Sequence, residues 1–366
     1  MDESADLVEL LEAYSPSGVE GPGTAAFEKI ARRLGYSVEI DEVGNGIASL
    51  GFGRPQILFL GHVDTVPGEL QVRRDEHRVY GRGACDAKGP LVAALHAGAA
   101  SGAHGEFVVV AAVGEETDSR GTRYLFDRLR PDAVIAGEPN GWDGIGTGYK
   151  GDLRLRATFD GARRHLSSPE ANTTERALDW TAEIRALLSG ASVTTGRFET
   201  LTGRIASFRS SESGDRESVE VVVDLRLPPG ISTRAVRERL PSPTPPCHID
   251  TIAEIEPFVS GRNDPVVRAL VEAIRAEGST PTLWRKGGTS DLNLVAPLWK
   301  VGGAVYGPGD AHLDHTDRES LEIDELRRAI AVLRRAVTTL RSGATLRVPE
   351  SGGGETRHFV VRGPPD

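Results

Sequence analysis

Two cysteines, Cys85 and Cys247, are the only thiols in this 366-residue chain. That is too few for a disulfide framework or a thiolate zinc site, so any metal falls to His, Asp and Glu. Long apolar runs are missing as well: none approaches the roughly 18 residues that a membrane span needs. The opening Met1-Asp-Glu-Ser-Ala-Asp6 is acidic and lacks the basic-then-apolar layout of a signal peptide, so the cytoplasm is the expected compartment. Lysine is scarce, at five of 43 basic residues, and the formal net charge is −10. Such a balance argues against a nucleic-acid partner, which would call for a basic face. What is present is ordinary for a globular protein, with 39% hydrophobic and 26% charged residues. The length suits one large domain or two smaller ones.

Three apolar runs mark the first part of the chain: Ile57–Leu60, Phe107–Val113 and Ala133–Ala136. Unbroken runs of this length fit strands buried on both faces. Helical stretches lie between them, from Gly89 to about Ser101 and from Arg120 to Arg130. This alternation predicts an α/β fold, a mostly parallel sheet covered by helices. After Gly151 the period changes. Leu153, Leu155, Ala157 and Phe159 alternate with polar residues, as do Val219, Val221, Val223, Leu225 and Leu227, the pattern of antiparallel strands with one wet face. A helix is expected over about Thr174–Leu188, and the proline-rich stretch Pro241–Pro246 reads as a loop. Helix–strand style returns from Pro257, with helices near Asp264–Glu277 and Ile323–Arg341. The reading is a catalytic domain of residues 1–150 and 258–341, an inserted α+β domain of 151–257, and a Gly-rich peripheral tail of 342–366.

Each buried run ends in metal-type ligands. The first leads into His62-Val63-Asp64, the second into Glu115-Glu116 and the third into Glu138. Carboxyl ends of strands in an open α/β sheet are where ligands bind. Packing alone explains one such residue easily, but not three in a row. With Asp86, in Gly83-Ala-Cys-Asp-Ala-Lys-Gly89, and His315, the set becomes two imidazoles and three carboxylates. Zinc takes such ligands at about 2.0–2.2 Å, and two ions about 3.5–4 Å apart need a shared carboxylate.

These motifs, together with His315-x-x-x-Glu319, resemble the aminoacylase/carboxypeptidase family of zinc hydrolases, which includes acetylornithine deacetylase and succinyl-diaminopimelate desuccinylase. The resemblance covers nearly the whole chain to about Arg341. It implies a metal-dependent amidohydrolase with two Zn2+ per subunit, for which Co2+ can substitute. In that frame Asp86 bridges the ions, with His62 and Glu138 on one and Glu116 and His315 on the other. Glu115 is then the general base toward a metal-activated water, and Asp64 orients His62. Side chains of adjacent residues at a strand end diverge, so Glu116 can bind metal while Glu115 moves a proton.

The inserted segment resembles the family's lid and dimerisation domain, which implies a homodimer. His165 matches its oxyanion-stabilising histidine, although Leu166 stands where many relatives have a small residue. Arg262 and the stretch Gly287-Gly288-Thr289-Ser290-Asp291 match positions that hold the substrate carboxylate. For these residues a surface ion pair or a shaped turn is the plainer alternative. His312 rivals His315 as a ligand; the spacing to Glu319 favours His315. The remaining histidines, at 77, 96, 104, 248 and 358, read as solvent-facing or satisfied, and Cys85 as a packed small residue. Gly146-Thr-Gly-Tyr-Lys-Gly151 fits a dinucleotide-binding spacing, but an alternating strand follows it where that reading needs a helix.

Finer stretches, Gly61–Leu70, Asp86–Leu91 and Tyr306–Thr316, look most like one branch of the family, the amino-group carrier protein–lysine/ornithine hydrolases. The resemblance implies release of lysine or ornithine from the γ-carboxyl of the carrier's terminal glutamate. The alternative is deacylation of N-acetyl-ornithine, N-acetyl-lysine or a related N-acyl amino acid or dipeptide. An acidic carrier would be repelled by a chain of net charge −10, and Arg73-Arg74 and Arg163-Arg164 are candidate basic patches to offset this.

Overall fold

The computed structural model describes residues 2–102, 104–165, 167–190 and 196–343. Leu166, His358 and the tail beyond Gly343 therefore lie outside the described residues. The chain folds as two units. One comprises Met1–Thr147, Ser260–Arg285 and the chain from Ser290; the other is Gly148–Val259 with Lys286–Thr289.

The first unit is built on a mixed sheet. Its strands run in the order Ser37–Ile40, Gly46–Gly51, Glu106–Ala112, Gln56–His62, Ala133–Ala136, Gly302–Val305 and Gly144–Tyr149. The middle four are mutually parallel, with Leu58 opposite Val108 on one side and Val134 on the other. Three of them, Glu106–Ala112, Gln56–His62 and Ala133–Ala136, are the strands read from unbroken apolar runs, and they are buried because helices cover both faces. The margins are antiparallel. At one margin a tight turn joins neighbours, with Asp41 Oδ1 accepting the N–H groups of Val43, Gly44 and Asn45.

Helix Lys88–Ala99 packs on strands Gln56–His62 and Glu106–Ala112, and helix Ile323–Arg341 packs against that helix. The first is small and apolar nearly all round, as suits a helix buried between layers. At Gly98 an added Cβ would meet Phe107 at 2.5 Å, so only glycine permits this approach. Helix Ile323–Arg341 buries Leu326, Leu333 and Leu340 on one stripe, each contributing about 1.5–3 kcal/mol. Helix Pro265–Ala276 starts at Asp264, whose carboxylate accepts the Val266 and Val267 N–H groups, with Pro265 in the first turn.

One helix is shorter than its pattern. Regular α-helix covers only Arg120–Tyr124 of the expected 120–130. Beyond it three-residue bonds, Phe126 N–H to Arg123 O and Arg128 N–H to Leu125 O, mix with a four-residue bond from Leu129 N–H to Leu125 O. The Phe126 carbonyl accepts Trp299 Nε1–H at 3.1 Å and the Arg130 guanidinium.

The second unit is an antiparallel sheet ordered Thr202–Ser213, Arg216–Leu227, Gly151–Ala162 and Cys247–Ile255, with helix Thr173–Gly190 packed on it. Alternation sorts its faces. Leu153, Leu155, Ala157 and Phe159 meet Val219, Val221, Val223 and Leu225 in a core with Trp180 and Ile184. The opposite face carries charge, including Arg156 paired with Glu220 at 3.2 Å. Among the described residues, no helix is long and apolar enough to cross a membrane.

Candidate metal centre

Parallel pairing brings three strand ends to one edge of the first unit. His62 is the last residue of its strand, Glu115 and Glu116 follow Glu106–Ala112, and Glu138 follows Ala133–Ala136. The turn into the two glutamates is set by Gly114. Its φ of +73° is left-handed, and its carbonyl accepts the N–H groups of Thr117, Asp118 and Ser119. Asp86 sits just before helix Lys88–Ala99. His315 comes from the segment after Gly302–Val305, with φ +61°. A non-glycine residue in that region is strained, the sort of cost that concentrates at functional sites.

These ends converge on Asp86. His62 Nε2 lies 3.0 Å from Asp86 Oδ1, and His315 Nε2 lies 3.2 Å from Asp86 Oδ2 and 3.1 Å from Glu116 Oε1. Two trios result, His62–Asp86–Glu138 and Asp86–Glu116–His315, each with ligand atoms within 4.8 Å of one another. Glu115 stands outside both. Asp64, fully buried, supports the arrangement from behind. Its Oδ1 accepts the Glu115 N–H at 3.1 Å, and its Oδ2 accepts the Glu116 N–H at 3.2 Å and the Ser17 hydroxyl at 2.7 Å.

The donor chemistry fits metal. His62 Nδ1 lies 2.9 Å from the backbone oxygen of Asp64, which can only accept. Nδ1 therefore carries the proton, and Nε2 turns toward Asp86. A neutral Nε2 lone pair this close to a carboxylate oxygen is repulsive unless a cation lies between them. Burial would depress the His62 pKa, yet the Asp64 and Asp86 carboxylates hold it well above the ordinary value. Asp86 and Glu116 raise His315 to about 10. Both imidazoles thus sit in a field that demands positive charge. Ligands about 2.0–2.2 Å from a zinc ion would span such trios with small side-chain movements. For Glu115, desolvation first and the Glu138 carboxylate next push the pKa well above the glutamate range. A group so placed holds a proton more readily than an ordinary glutamate, as a general base that must accept one does.

The other expected residues are distributed between the units. His165 is exposed in the second unit, its Nδ1 2.7 Å from Ser167 Oγ. Gly288 and Thr289 also belong to that unit, whereas Arg262 and Ser290 belong to the first. Arg262 is exposed; Ser290 is buried and its N–H donates to Asn293 Oδ1 at 3.1 Å. His312 is not in either trio; its Nδ1 lies 2.8 Å from Asp310 Oδ1. Each arginine of the two expected patches has an acidic neighbour: Arg73 Asp75, Arg74 Asp2, Arg163 Glu212 and Arg164 Glu170. Three supporting residues escape a reading by ligand type. Ser17 bonds Asp64 from a segment far upstream, Lys88 Nζ donates to the Leu10 and Ala13 carbonyls, and Asp291 accepts the Thr122 hydroxyl. For Lys88 and Asp291 the only signal is their place inside the quoted motifs; for Ser17 there is none.

Residues 58–339 match the model of Peptidase family M20/M25/M40. The chain belongs to that family. It is accordingly a metal-dependent hydrolase of amide bonds. Its relatives in this family include the LysW-lysine hydrolase of Deinococcus radiodurans, 37% identical over 346 residues, covering 90% of this chain and 94% of the relative. The LysW-lysine/LysW-ornithine hydrolase of Sulfurisphaera tokodaii is 32% identical over 324 residues, covering 87% and 90%. Among solved structures, the M20 family metallo-carboxypeptidase Sso-CP2 of Sulfolobus solfataricus superposes with a TM-score of 0.70 at 18% identity, over 93% of this chain and all of that one. The YXEP protein of Bacillus subtilis, described as a dinuclear metal binding peptidase, gives 0.68 at 14% identity, over 93% and 98%. These two likenesses establish the M20 fold.

Proposed function

We propose that this chain hydrolyses the amide linking lysine or ornithine to the γ-carboxyl of the terminal glutamate of an acidic amino-group carrier protein, in amino-acid biosynthesis. The observation that carries the substrate is the 37% identity, across nine-tenths of the chain, to an enzyme named for LysW-lysine. In this reading His62 and Glu138 hold one zinc ion, Glu116 and His315 hold the other, and Asp86 is shared. Cobalt can replace zinc, since the donors are imidazole and carboxylate. When bound, the two ions polarise the scissile carbonyl and acidify the attacking water. Glu115 accepts that water's proton and returns it to the departing amine, and Asp64 keeps His62 in the tautomer with Nε2 free.

Further positions complete the proposal. His165 stabilises the developing oxyanion, and Arg262 with the Gly288-Thr289-Ser290 backbone and hydroxyls receives the carboxylate of the departing amino acid. The active form is a homodimer. The second unit's sheet ends in two edge strands, Thr202–Ser213 and Cys247–Ile255, whose outer backbone edges suit pairing with a second copy.

The test compares amino-acid release by the zinc-loaded enzyme from carrier-linked lysine, carrier-linked ornithine, N-acetyl-ornithine and N-acetyl-lysine, with Glu115→Ala as control. Preference for a carrier conjugate, lost in the control, supports the proposal. Release from the acetyl compounds alone moves the chain to the deacylase reading with the same centre.

A further inference from the structure

Glu319 follows His315 by four residues, yet its side chain serves the segment that carries Asp86. It is buried, at 2% exposure. One oxygen, Oε1, accepts three backbone N–H groups: Gly83 at 3.0 Å, Cys85 at 3.1 Å and Asp86 itself at 3.1 Å. The other, Oε2, accepts Arg82 Nη1–H at 2.9 Å. Backbone contacts run the same way, with Gly81 N–H donating to Glu319 O at 3.3 Å and Cys85 Sγ–H to Ser320 O at 3.1 Å. Convergent N–H groups of this kind form a concave anion site. Here the anion comes from the protein itself. A buried carboxylate is tolerated only when fully partnered, and this one has four donors.

Two roles are open to such a residue. It could neutralise Arg82, which is itself buried, and leave the loop to fold by its own turns. That role needs only Oε2. The whole of Oε1 is spent on the Asp86 loop, and the last of its three donors is the N–H of the shared ligand. Glu319 is also tied by four residues of chain to His315, the partner across Asp86. We propose that Glu319 is a positioning residue, which fixes the Asp86 backbone and couples it to His315 so that both metal ions find their shared ligand in place. Asp86 belongs to both trios, so an error at its Cα harms both sites, and functional groups must be held within about 0.5 Å. This inference rests on the proposed metal pair.

The amide of glutamine cannot replace this carboxylate. With its oxygen toward the loop, its NH2 confronts the Arg82 guanidinium; turned over, the NH2 confronts three backbone donors. Glu319→Gln is therefore the first variant, and Arg82→Lys is its counterpart, altering the Oε2 side while leaving the Oε1 bonds. Metal affinity is measured by chelator competition on folded protein, alongside the visible absorption of the cobalt form, kcat and KM, and melting with and without metal. The expected result for Glu319→Gln is metal binding weakened about 10–100-fold, the usual range for residues that orient ligands, with a changed cobalt spectrum and a loss in kcat at nearly constant KM. Arg82→Lys is expected to change metal affinity less than threefold. If Glu319→Gln does not fold, Glu319→Asp, one methylene short, takes the same measurements and should show weakened metal affinity and a changed cobalt spectrum against the natural enzyme.

Three results overturn the idea. One is unchanged metal affinity and cobalt spectrum in every folded Glu319 variant. A second is an equal loss of melting temperature with and without metal, which marks a purely structural group. The third is Arg82→Lys matching Glu319→Gln, which assigns the effect to the ion pair. Failure of the natural protein to bind two ions would instead refute the proposed metal pair.

Discussion

His315 and Asp86, 229 residues apart in sequence, meet with Nε2 3.2 Å from Oδ2. Without a metal, this approach needs a hydrogen on Nε2, and the Asp86 and Glu116 carboxylates raise His315 to about 10, which favours the imidazolium. His62 is raised for a like reason. A metal ion must displace both protons, so binding and proton release are linked. Lowering the pH favours the imidazolium forms, so metal affinity falls as pH falls. Calorimetric titrations at pH 7 in buffers of differing ionisation enthalpy should reveal net proton release. Affinity that is flat between pH 6 and 8 would contradict the assignment of these histidines as ligands.

Glu115 is adjacent to Glu116 but belongs to neither trio. Glu115→Gln should therefore retain both metals while losing the proton acceptor. A general base contributes about 10²–10⁴-fold, and the loss should fall in kcat. Metal analysis of the purified variant separates this outcome from a ligand defect. A variant that loses a metal equivalent along with its activity would make Glu115 a ligand.

Legibility in the sequence follows burial and locality. Strands Gln56–His62 and Ala133–Ala136 read clearly because both faces are covered, leaving no polar alternation to confuse the period. Helix Ile323–Arg341 reads to the residue because its apolar stripe is continuous over five turns. The helix after Arg120 reads too long because the chain beyond Tyr124 is held by mixed three- and four-residue bonds, which the sequence pattern does not distinguish from a regular helix. In the site, ligand-type residues stand out at strand ends, where chemistry restricts the choice to His, Asp and Glu. The residues that hold them do not. Ser17 reaches Asp64 across 47 positions, and a lone serine in a loop carries no signal of that.

That serine gives a graded prediction. Its hydroxyl donates to Asp64 Oδ2 at 2.7 Å, and the same carboxylate holds the backbone of Glu115 and Glu116. Ser17→Ala removes one of three donors to Asp64 and leaves the two N–H groups. Metal affinity should fall by about tenfold, the low end for groups that orient ligands, and Ser17→Thr should restore most of it. Asp64→Ala, which removes every bond at once, should cost at least tenfold more. Chelator competition on the three variants tests the order, and a Ser17→Ala protein equal to Asp64→Ala would break it.

Phe159 offers a test confined to the second unit. It is fully buried between the sheet and helix Thr173–Gly190, its ring 5.9 Å from that of Trp180 at an interplanar angle of 59°. Phe159→Ala deletes the ring from a core that cannot close around the gap, because its neighbours Val219 and Ala157 are fixed in paired strands. The cost should be about 3–5 kcal/mol, typical of a buried aromatic reduced to alanine. Every candidate ligand, from His62 to His315, lies in the other unit, so metal stoichiometry and affinity should stay within about twofold of the natural protein. Denaturant unfolding followed by Trp fluorescence, run beside a metal titration, reads both quantities. Loss of metal binding in a folded Phe159→Ala protein would mean that the second unit's core supports the centre, and that the two units cannot be treated as energetically separate.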